Sequence, residues 1–362
     1  MGIVQSLTNL DIDPWLIAQC VRATTVGYPN HFVAECLREN FLLPWREGNH
    51  SSIKTYMEEI MNIMAKEDMN RYNMPLTNWL ARYIPHLFPT PQHALKKLLK
   101  VLRLIFDGSK RYTAYSVPIN MMTSTRYGTE MPCLYGDTFV TLLERIWDLR
   151  ITYPEHDIVT HANDGKSCFR QMKMHPDIMT AFSIVVADFL YLQTALPFGT
   201  DFSPQNWELV HRLIEIVATK LSADKSLRIK HRKYLDRLQW EPALGEAKQA
   251  FAPAKACSQW RGVLDEHGNP RPTPQRLFVD ELVYAEIYED DKTRIEQAIA
   301  AGIEAIFVLL GQSELTKRQD PIFFDKMEEQ LVATVNKLLD VIVDTRQLDV
   351  GGEVCSDNSS AP

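Results

Sequence analysis

The 362-residue sequence lacks the features that mark several large classes of protein. Its six cysteines are scattered, with no CxxC pair and no cysteine and histidine spacing of the kind that zinc requires. No apolar run reaches the roughly 18 residues needed to span a bilayer, and the first residues carry neither the basic start nor the apolar block of a signal peptide. These absences predict an intracellular chain with reduced thiols and no membrane partner, and they leave nuclear and cytoplasmic locations open.

Positive charge is also scarce, since the formal net charge is −7. Because phosphate binding relies on positive charge, this balance excludes wholesale coating of nucleic acid. The basic residues concentrate in two segments that would have to hold any such partner. These segments contain Lys96, Lys97, Lys100, Arg103, Lys110 and Arg111, and then Lys220, Lys225, Arg228, Lys230, His231, Arg232, Lys233 and Arg237. Either segment fits the solvated face of a helix or loop equally well.

Hydrophobic periodicity predicts a helical N-terminal region, residues 1–95, followed by mixed structure. Strands and helices then interleave without a regular βαβ alternation, which favours an α+β fold. The first predicted elements are a strand ending at 107–109, a helix N-capped by Asp137, a strand that ends at Asp164, a strand pair in 181–196 and a turn at 196–199. A helix from Ser203-Pro204 and an irregular insertion at 223–274 follow. The last predicted elements are two strands around Asp280-Glu281, helices through 295–306 and near 324–334, and an apolar pair in 338–350.

The segment HANDGKSCFRQ, residues 161–171, suggests either a phosphate loop or a metal ligand. A P-loop requires a glycine at position 160, which is Thr160, so its Gly-Lys-Ser is not the end of such a loop. Asp164 instead ends an apolar strand, as Asp280 does further along the chain. If the strands were neighbours, the two carboxylates would suit a pair of Mg²⁺ ions about 4 Å apart. An aspartate at a strand end is also a common turn former or helix cap.

Five segments carry a more specific pattern. They are LRLIFDGS (102–109), DGKSCFRQMKMHPD (164–177), LPFGTDFSPQNW (196–207), RLFVDELVYA (276–285) and KLLDVIVDT (337–345). In this order they resemble the fingers strand, the first metal motif, the LPFG segment, the second metal motif and the primer grip of a reverse transcriptase of the retrotransposon type. The resemblance covers roughly residues 90–350 and leaves the N-terminal region unmatched.

The resemblance implies a polymerase fingers and palm architecture, with an antiparallel palm sheet packed on helices. Residues 96–310 would form the fingers and palm, and 311–350 the end of the palm with a segment like the primer grip. The composition of residues 351–362 predicts a disordered tail.

The resemblance also implies a two-metal site. Asp164 and Asp280 would bind two Mg²⁺ ions together with the backbone carbonyl of Gly165, and Mn²⁺ is expected to substitute. Glu281 stands beside Asp280 as the second acidic residue of the motif. The implied reaction is template-directed DNA synthesis from deoxynucleoside triphosphates on a primed RNA or DNA template.

Four further residues would bind the nucleotide in such an enzyme. Arg103 would contact the incoming triphosphate, and Phe198 and Gly199 would shape the base-pair pocket. An aromatic side chain at the position of Phe169 would stack beneath the sugar and exclude a 2′-hydroxyl, which selects DNA synthesis. The alternative is that Phe169 is an ordinary core residue of a helix.

Two positions depart from the family pattern. Glu281 stands where the family has a second aspartate, and Asp340 replaces the glycine of the primer grip. Two hypotheses follow: a working RNA-directed DNA polymerase, expected to be part of a larger polyprotein, or a catalytically inactive retroelement remnant that retains the fold and nucleic-acid binding. A helical interaction scaffold of other ancestry would leave the order of the five segments unexplained.

Overall fold

The computed structural model describes residues 2–28, 48–84, 87–96, 102–111, 113, 117–122, 135–153, 156–241, 273, 276–278, 280–289, 291–311, 320–338 and 341–345. The α-helices in these ranges are α1 (Gly2–Asn9), α2 (Pro14–Val26), α3 (Ser51–Thr55), α4 (Met57–Met69), α5 (Ile119–Met122), α6 (Tyr135–Thr152), α7 (Cys168–Gln171), α8 (Pro176–Met179), α9 (Phe202–Leu221), α10 (Ser226–Lys230), α11 (Arg232–Leu235), α12 (Thr293–Leu310) and α13 (Phe324–Glu329). Short 3-10 helices cover Asn78–Tyr83 and Thr180–Phe182. None of the helices in the described ranges is both long and apolar enough to cross a membrane.

The strands form small antiparallel sheets, so the fold is α+β as the sequence predicts. The strands are β1 (Asn73–Thr77), β2 (Gln92–Lys96), β3 (Leu102–Phe106), β4 (Ile158–Asp164), β5 (Ser183–Val186), β6 (Phe189–Gln193), β7 (Arg276–Phe278), β8 (Glu281–Ile287), β9 (Val335–Leu338) and β10 (Val341–Asp344). They are ordered β4-β8-β7 in one sheet, hereafter the central sheet, and β1-β6-β5, β2-β3 and β10-β9 in the others.

Helices cover both faces of the central sheet. Successive residues of a strand face opposite sides, so β8 directs Val283 and Ala285 to one face and Leu282 and Tyr284 to the other. The first face packs against α6 through Ile146 and its neighbours, and the second contacts α12. Because both faces are buried, nearly every residue of β4 and β8 is buried, and buried and exposed residues do not alternate along these strands.

Polar side chains lie inside this core and form hydrogen bonds with one another. Asn163 donates a hydrogen bond of 2.6 Å to the hydroxyl of Tyr284. The ring of His161 stacks on that of Tyr284 with centroids 6.2 Å apart. Burial lowers the pKa of His161 to about 4, so the imidazole is neutral at physiological pH.

The N-terminal region supplies strands as well as the predicted helices. β1 pairs with β6 in antiparallel register, and β2 pairs with β3, the strand that carries Arg103. Pro75 lies within β1 and lacks an N–H for a ladder hydrogen bond, which is tolerated because β1 is an edge strand. The described part of residues 1–95 is thus mostly helical and also contributes strands, and the division of the chain into domains stays a prediction.

Three predicted boundaries were wrong. Asp137 is the third residue of α6 rather than its N-cap, where its charge still suits the positive end of the helix dipole. The segment predicted to be irregular contains α10 and α11, which form ion pairs with α12 and bury Leu227 and Leu235 in the core. The helix near 324–334 ends at Glu329 because Val332 and Ala333 form β-bridges instead.

Gly302 of α12 allows the helix to approach β8 closely. A Cβ added there would contact the Tyr284 hydroxyl and lie 2.8 Å from a methyl carbon of Leu282. Such overpacking costs about 1–3 kcal/mol, so we expect Gly302→Ala to lower the free energy of unfolding by that amount in urea denaturation. In a Tyr284→Phe background the same substitution should cost less, because the hydroxyl is gone. Equal costs in both backgrounds would contradict the packing described.

Candidate functional site

Asp164 and Asp280 meet where β4 ends and β8 begins. The register of the two strands sets Asp164 opposite Glu281, next in the chain to Asp280. The backbone N–H of Gly165 donates to the carbonyl oxygen of Asp280 at 2.5 Å, which closes the strand end against the turn. A side chain at position 165 would collide with the Cys168 sulfur and lie 3.1 Å from the Asp280 carbonyl, so the close approach requires glycine.

The charges around these carboxylates act on one another. Desolvation of its carboxyl group raises the pKa of Asp280, and the charge of Asp164 raises it further. The residue as a whole is still exposed to solvent. The cations of Lys326 and Arg103 oppose this rise. Burial, followed by the charges of Asp280 and Asp164, raises the pKa of the Cys168 thiol, so the thiol stays protonated. The structure thus brings Asp164, Asp280 and Arg103 within electrostatic range of one another.

A strap formed by residues 320–323 crosses the end of β4. The N–H of Lys166 donates to the carbonyl of Pro321, and the N–H of Phe323 donates to the carbonyl of Asp164, both at 2.8 Å. An isolated bridge joins Gly165 to Ile322 between them. The strap leads into α13, whose Lys326 forms an ion pair with the Asp164 carboxylate.

Lys326 was not predicted as a site residue from the sequence. It lies 162 positions from Asp164, and no spacing pattern connects the two. It is exposed on a six-residue helix, which makes it resemble any solvated lysine. Only the pairing of the strap with β4 reveals that its charge belongs to the site.

The predicted nucleotide-binding aromatics, Phe169 and Phe198, lie in contact with each other. Phe169 lies in α7, shortly after Asp164, with its ring centroid 5.2 Å from Phe198 and 6.4 Å from Trp207. Phe169 is only 7% exposed, whereas Phe198 is 45% exposed. Phe169 therefore forms part of the core and supports the exposed ring of Phe198.

Gly199 fixes this cluster against the strand that carries Arg103. Its φ of +97° is a conformation that side-chain-bearing residues rarely adopt. An added Cβ would collide with the carbonyl of Phe106 at the end of β3. The N–H of Phe106 also donates to the carbonyl of Phe198 at 3.0 Å. The turn at 196–199 and β3 consequently form one unit.

Arg170, another residue that was not predicted from the sequence, anchors α7 to the N-terminal region. Its buried guanidinium forms an ion pair of 2.6 Å with Glu67 of α4 and donates to the side chain of Gln193 at 2.7 Å. It also donates to the carbonyl of Tyr72, beside β1. The N-terminal region therefore helps to hold the helix that follows Asp164.

Several basic residues of the second basic segment form ion pairs within the chain. Arg228 pairs with Glu296 at 2.8 Å and Lys230 with Glu304 at 2.7 Å, both on α12. Arg232 reaches Glu296 at 3.2 Å. Charges that are paired within the chain are less available to a nucleic acid, and the role of this segment stays a prediction.

The carboxylate oxygens at the end of β4 are ligands of the type that magnesium prefers. Among the residues that the structure describes, no three His, Cys, Asp or Glu side chains are grouped closely enough to hold a metal ion by themselves. Magnesium in phosphoryl-transfer sites is usually bound by only one or two protein carboxylates, and water and substrate phosphates complete its shell. Asp164 and Asp280 supply that number. Asp340, the other departure from the family pattern, lies outside the described residues.

Comparison with known proteins gave matches only among solved structures. No family model and no curated protein matches the chain. Two crystal structures of the Prototype Foamy Virus protease-reverse transcriptase, a selenomethionine-labelled mutant and the native protein, have identities of 12% and 11% and TM-scores of 0.44 and 0.41. They cover 89% and 83% of this chain, which covers 29% and 27% of theirs. A foamy viral protease-reverse transcriptase in complex with double-stranded DNA has 10% identity and a TM-score of 0.43, with coverages of 95% and 45%. The chain thus spans less than half the length of each.

The raised pKa of Asp280 predicts a pH-dependent stability. Because the folded chain binds this proton more tightly than the unfolded chain, stability falls as pH rises from the ordinary aspartate pKa, about 3.9, through the raised one. We therefore expect Asp280→Asn to raise the melting temperature at pH 7, and the gain to shrink toward about pH 3, where the carboxyl is protonated in both states. Asp188→Asn, at the exposed turn between β5 and β6, is the matched control and should change little. A lower melting temperature for Asp280→Asn at pH 7 would contradict the inference that burial and the charge of Asp164 raise the pKa of Asp280.

Proposed function

We propose that the chain is the fingers and palm part of an RNA-directed DNA polymerase of the retrotransposon type. In this proposal it adds deoxynucleotides to the 3′-hydroxyl of a primed RNA or DNA template, as part of a larger polyprotein. The observation that carries the proposal is the pairing of β4 with β8, which sets the Asp164 and Asp280 carboxylates close enough for one to raise the pKa of the other.

Two like charges held together at a strand end cost stability, and such a cost is typical of functional sites. A cation bound between them would remove the repulsion. Two magnesium ions bound there would stabilise the attacking 3′-oxygen and the leaving pyrophosphate. The protein's own part in the reaction is therefore to hold Asp164 and Asp280 in fixed positions at the end of a buried sheet.

In this proposal, Arg103 and the aromatic cluster bind the incoming nucleotide. Arg103 is exposed on β3, and its charge reaches Asp280, so a triphosphate beside the carboxylates would lie within its range. The turn that carries Phe198 and Gly199 is hydrogen-bonded to the same strand. Phe169 supports Phe198 from beneath and, with it, would form the wall against which the sugar of the nucleotide stacks.

A second candidate function is a catalytically inactive domain that retains nucleic-acid binding. The ion pair between Lys326 and Asp164 favours it, because a lysine already compensates the carboxylate that an active enzyme offers to a metal. Glu281 in the place of an aspartate points the same way. Fluorescence anisotropy and primer extension together separate the two functions, because this candidate predicts binding of a labelled primer and template without extension.

Substitution of Asp164 tests the proposed chemistry directly. In a primer-extension assay with an RNA template and Mg²⁺, Asp164→Asn should lower nucleotide incorporation by about a hundredfold or more, because a ligand of the metal is lost. Asp188→Asn should retain the activity of the parent chain. Equal extension by the Asp164 variant would exclude a two-metal role for this residue.

Phe169 should determine the choice of sugar. We expect Phe169→Leu to reduce the preference for deoxynucleotides over ribonucleotides, measured as a ratio of kcat/KM values, by about tenfold, because the wall beside the 2′ position recedes. Phe307→Leu, at a similarly buried phenylalanine of α12, is the control for a loss of core packing. If both variants keep the parent preference, Phe169 is a core residue without a role in selection.

A further inference from the structure

We propose that Lys326 is the resident counter-ion of Asp164, and that a divalent cation must displace its ammonium group before it can bind this carboxylate. The inference rests on the proposed function only in taking Asp164 as a cation ligand. It assigns Lys326 a competitive role, in which the lysine sets the concentration of metal that the site requires.

The position of Lys326 is fixed by backbone contacts that do not involve its own side chain. The strap is held to the end of β4 by hydrogen bonds at Lys166 and Phe323 and by the bridge at Ile322. These contacts place the start of α13 over Asp164, and Met327 is buried beside Lys326 to hold the helix down. The ammonium therefore lies beside the carboxylate because the strap directs it there.

The charges at the site explain why a divalent cation would compete with Lys326. Lys326 forms an ion pair with Asp164, and its charge also opposes the rise in the Asp280 pKa that burial and then the charge of Asp164 cause. The ammonium offers Asp164 a single positive charge, whereas a divalent cation offers two and therefore interacts more strongly with the neighbouring carboxylates. A divalent ion can replace the lysine, whereas the lysine suffices when the ion is absent.

Displacement is physically accessible. The Lys326 side chain is 47% exposed and ends a flexible four-carbon stem, so the ammonium can move into water. It also lies 5.4 Å from the centroid of the Phe323 ring, whose face attracts cations. An alternative location for the charge is therefore already close, and α13 need not move.

Metal binding by the purified chain tests the inference without reference to polymerase activity. If the ion pair is formed nine-tenths of the time, it weakens the apparent affinity of a competing cation by roughly tenfold. We thus expect Lys326→Met to bind Mn²⁺ about tenfold more tightly than the parent chain in a titration followed by electron paramagnetic resonance. The control is Lys230→Met, which removes an ion pair of similar exposure, with Glu304, on another surface. It should bind Mn²⁺ as the parent does.

A second measurement uses the unaltered protein. Acetylation of lysines, quantified by mass spectrometry, should increase at Lys326 when Mn²⁺ is added and stay constant at Lys230. Unchanged or weaker Mn²⁺ affinity in Lys326→Met, no saturable Mn²⁺ binding in either chain, or constant acetylation at Lys326 would each overturn the inference. If the lysine variant gains affinity and no chain extends a primer, the inference stands while the proposed polymerase function fails.

Discussion

The antiparallel register of β4 with β8 is the constraint on which the candidate site depends. Both faces of these strands are buried, and the apolar side chains of one face pack on α6 while His161 and Asn163 lie with Tyr284 on the other. A slip of one residue would exchange the faces and bury the polar group against an apolar helix. The core thereby fixes the register, and the register fixes where the carboxylates of Asp164 and Asp280 meet.

Repulsion between the two carboxylates lowers the stability of the fold, and the packing of the core must offset this cost. Two carboxylates interact at the strand end, and in the part of the chain that the structure describes the charges of Lys326 and Arg103 oppose the resulting effect on Asp280. A purely structural turn has no need of such a pair, because one hydrogen-bonding aspartate is enough to form it. Two neighbouring carboxylates held at the edge of a rigid sheet, with cations beside them, form an arrangement that is frequent at functional sites.

The strand ends could be predicted from the sequence, since each depends on a local apolar run followed by an acidic residue. The same local logic correctly predicted the β5–β6 hairpin and the start of α9. Lys326 and the Arg170–Glu67 pair could not be found in this way, because each joins segments about a hundred or more residues apart. β1 was missed because Pro75 and the exposed Met74 hide a strand whose stability comes from its pairing with β6.

The most direct test of the central claim is template-directed extension by the unaltered chain. A labelled DNA primer on an RNA template, supplied with Mg²⁺ and a single deoxynucleoside triphosphate, reports one addition at a time. The account predicts that the primer grows by one residue only when the nucleotide is complementary to the next template base. Tight binding of the primer and template with no growth in Mg²⁺ or Mn²⁺, for any of the four nucleotides, would contradict it.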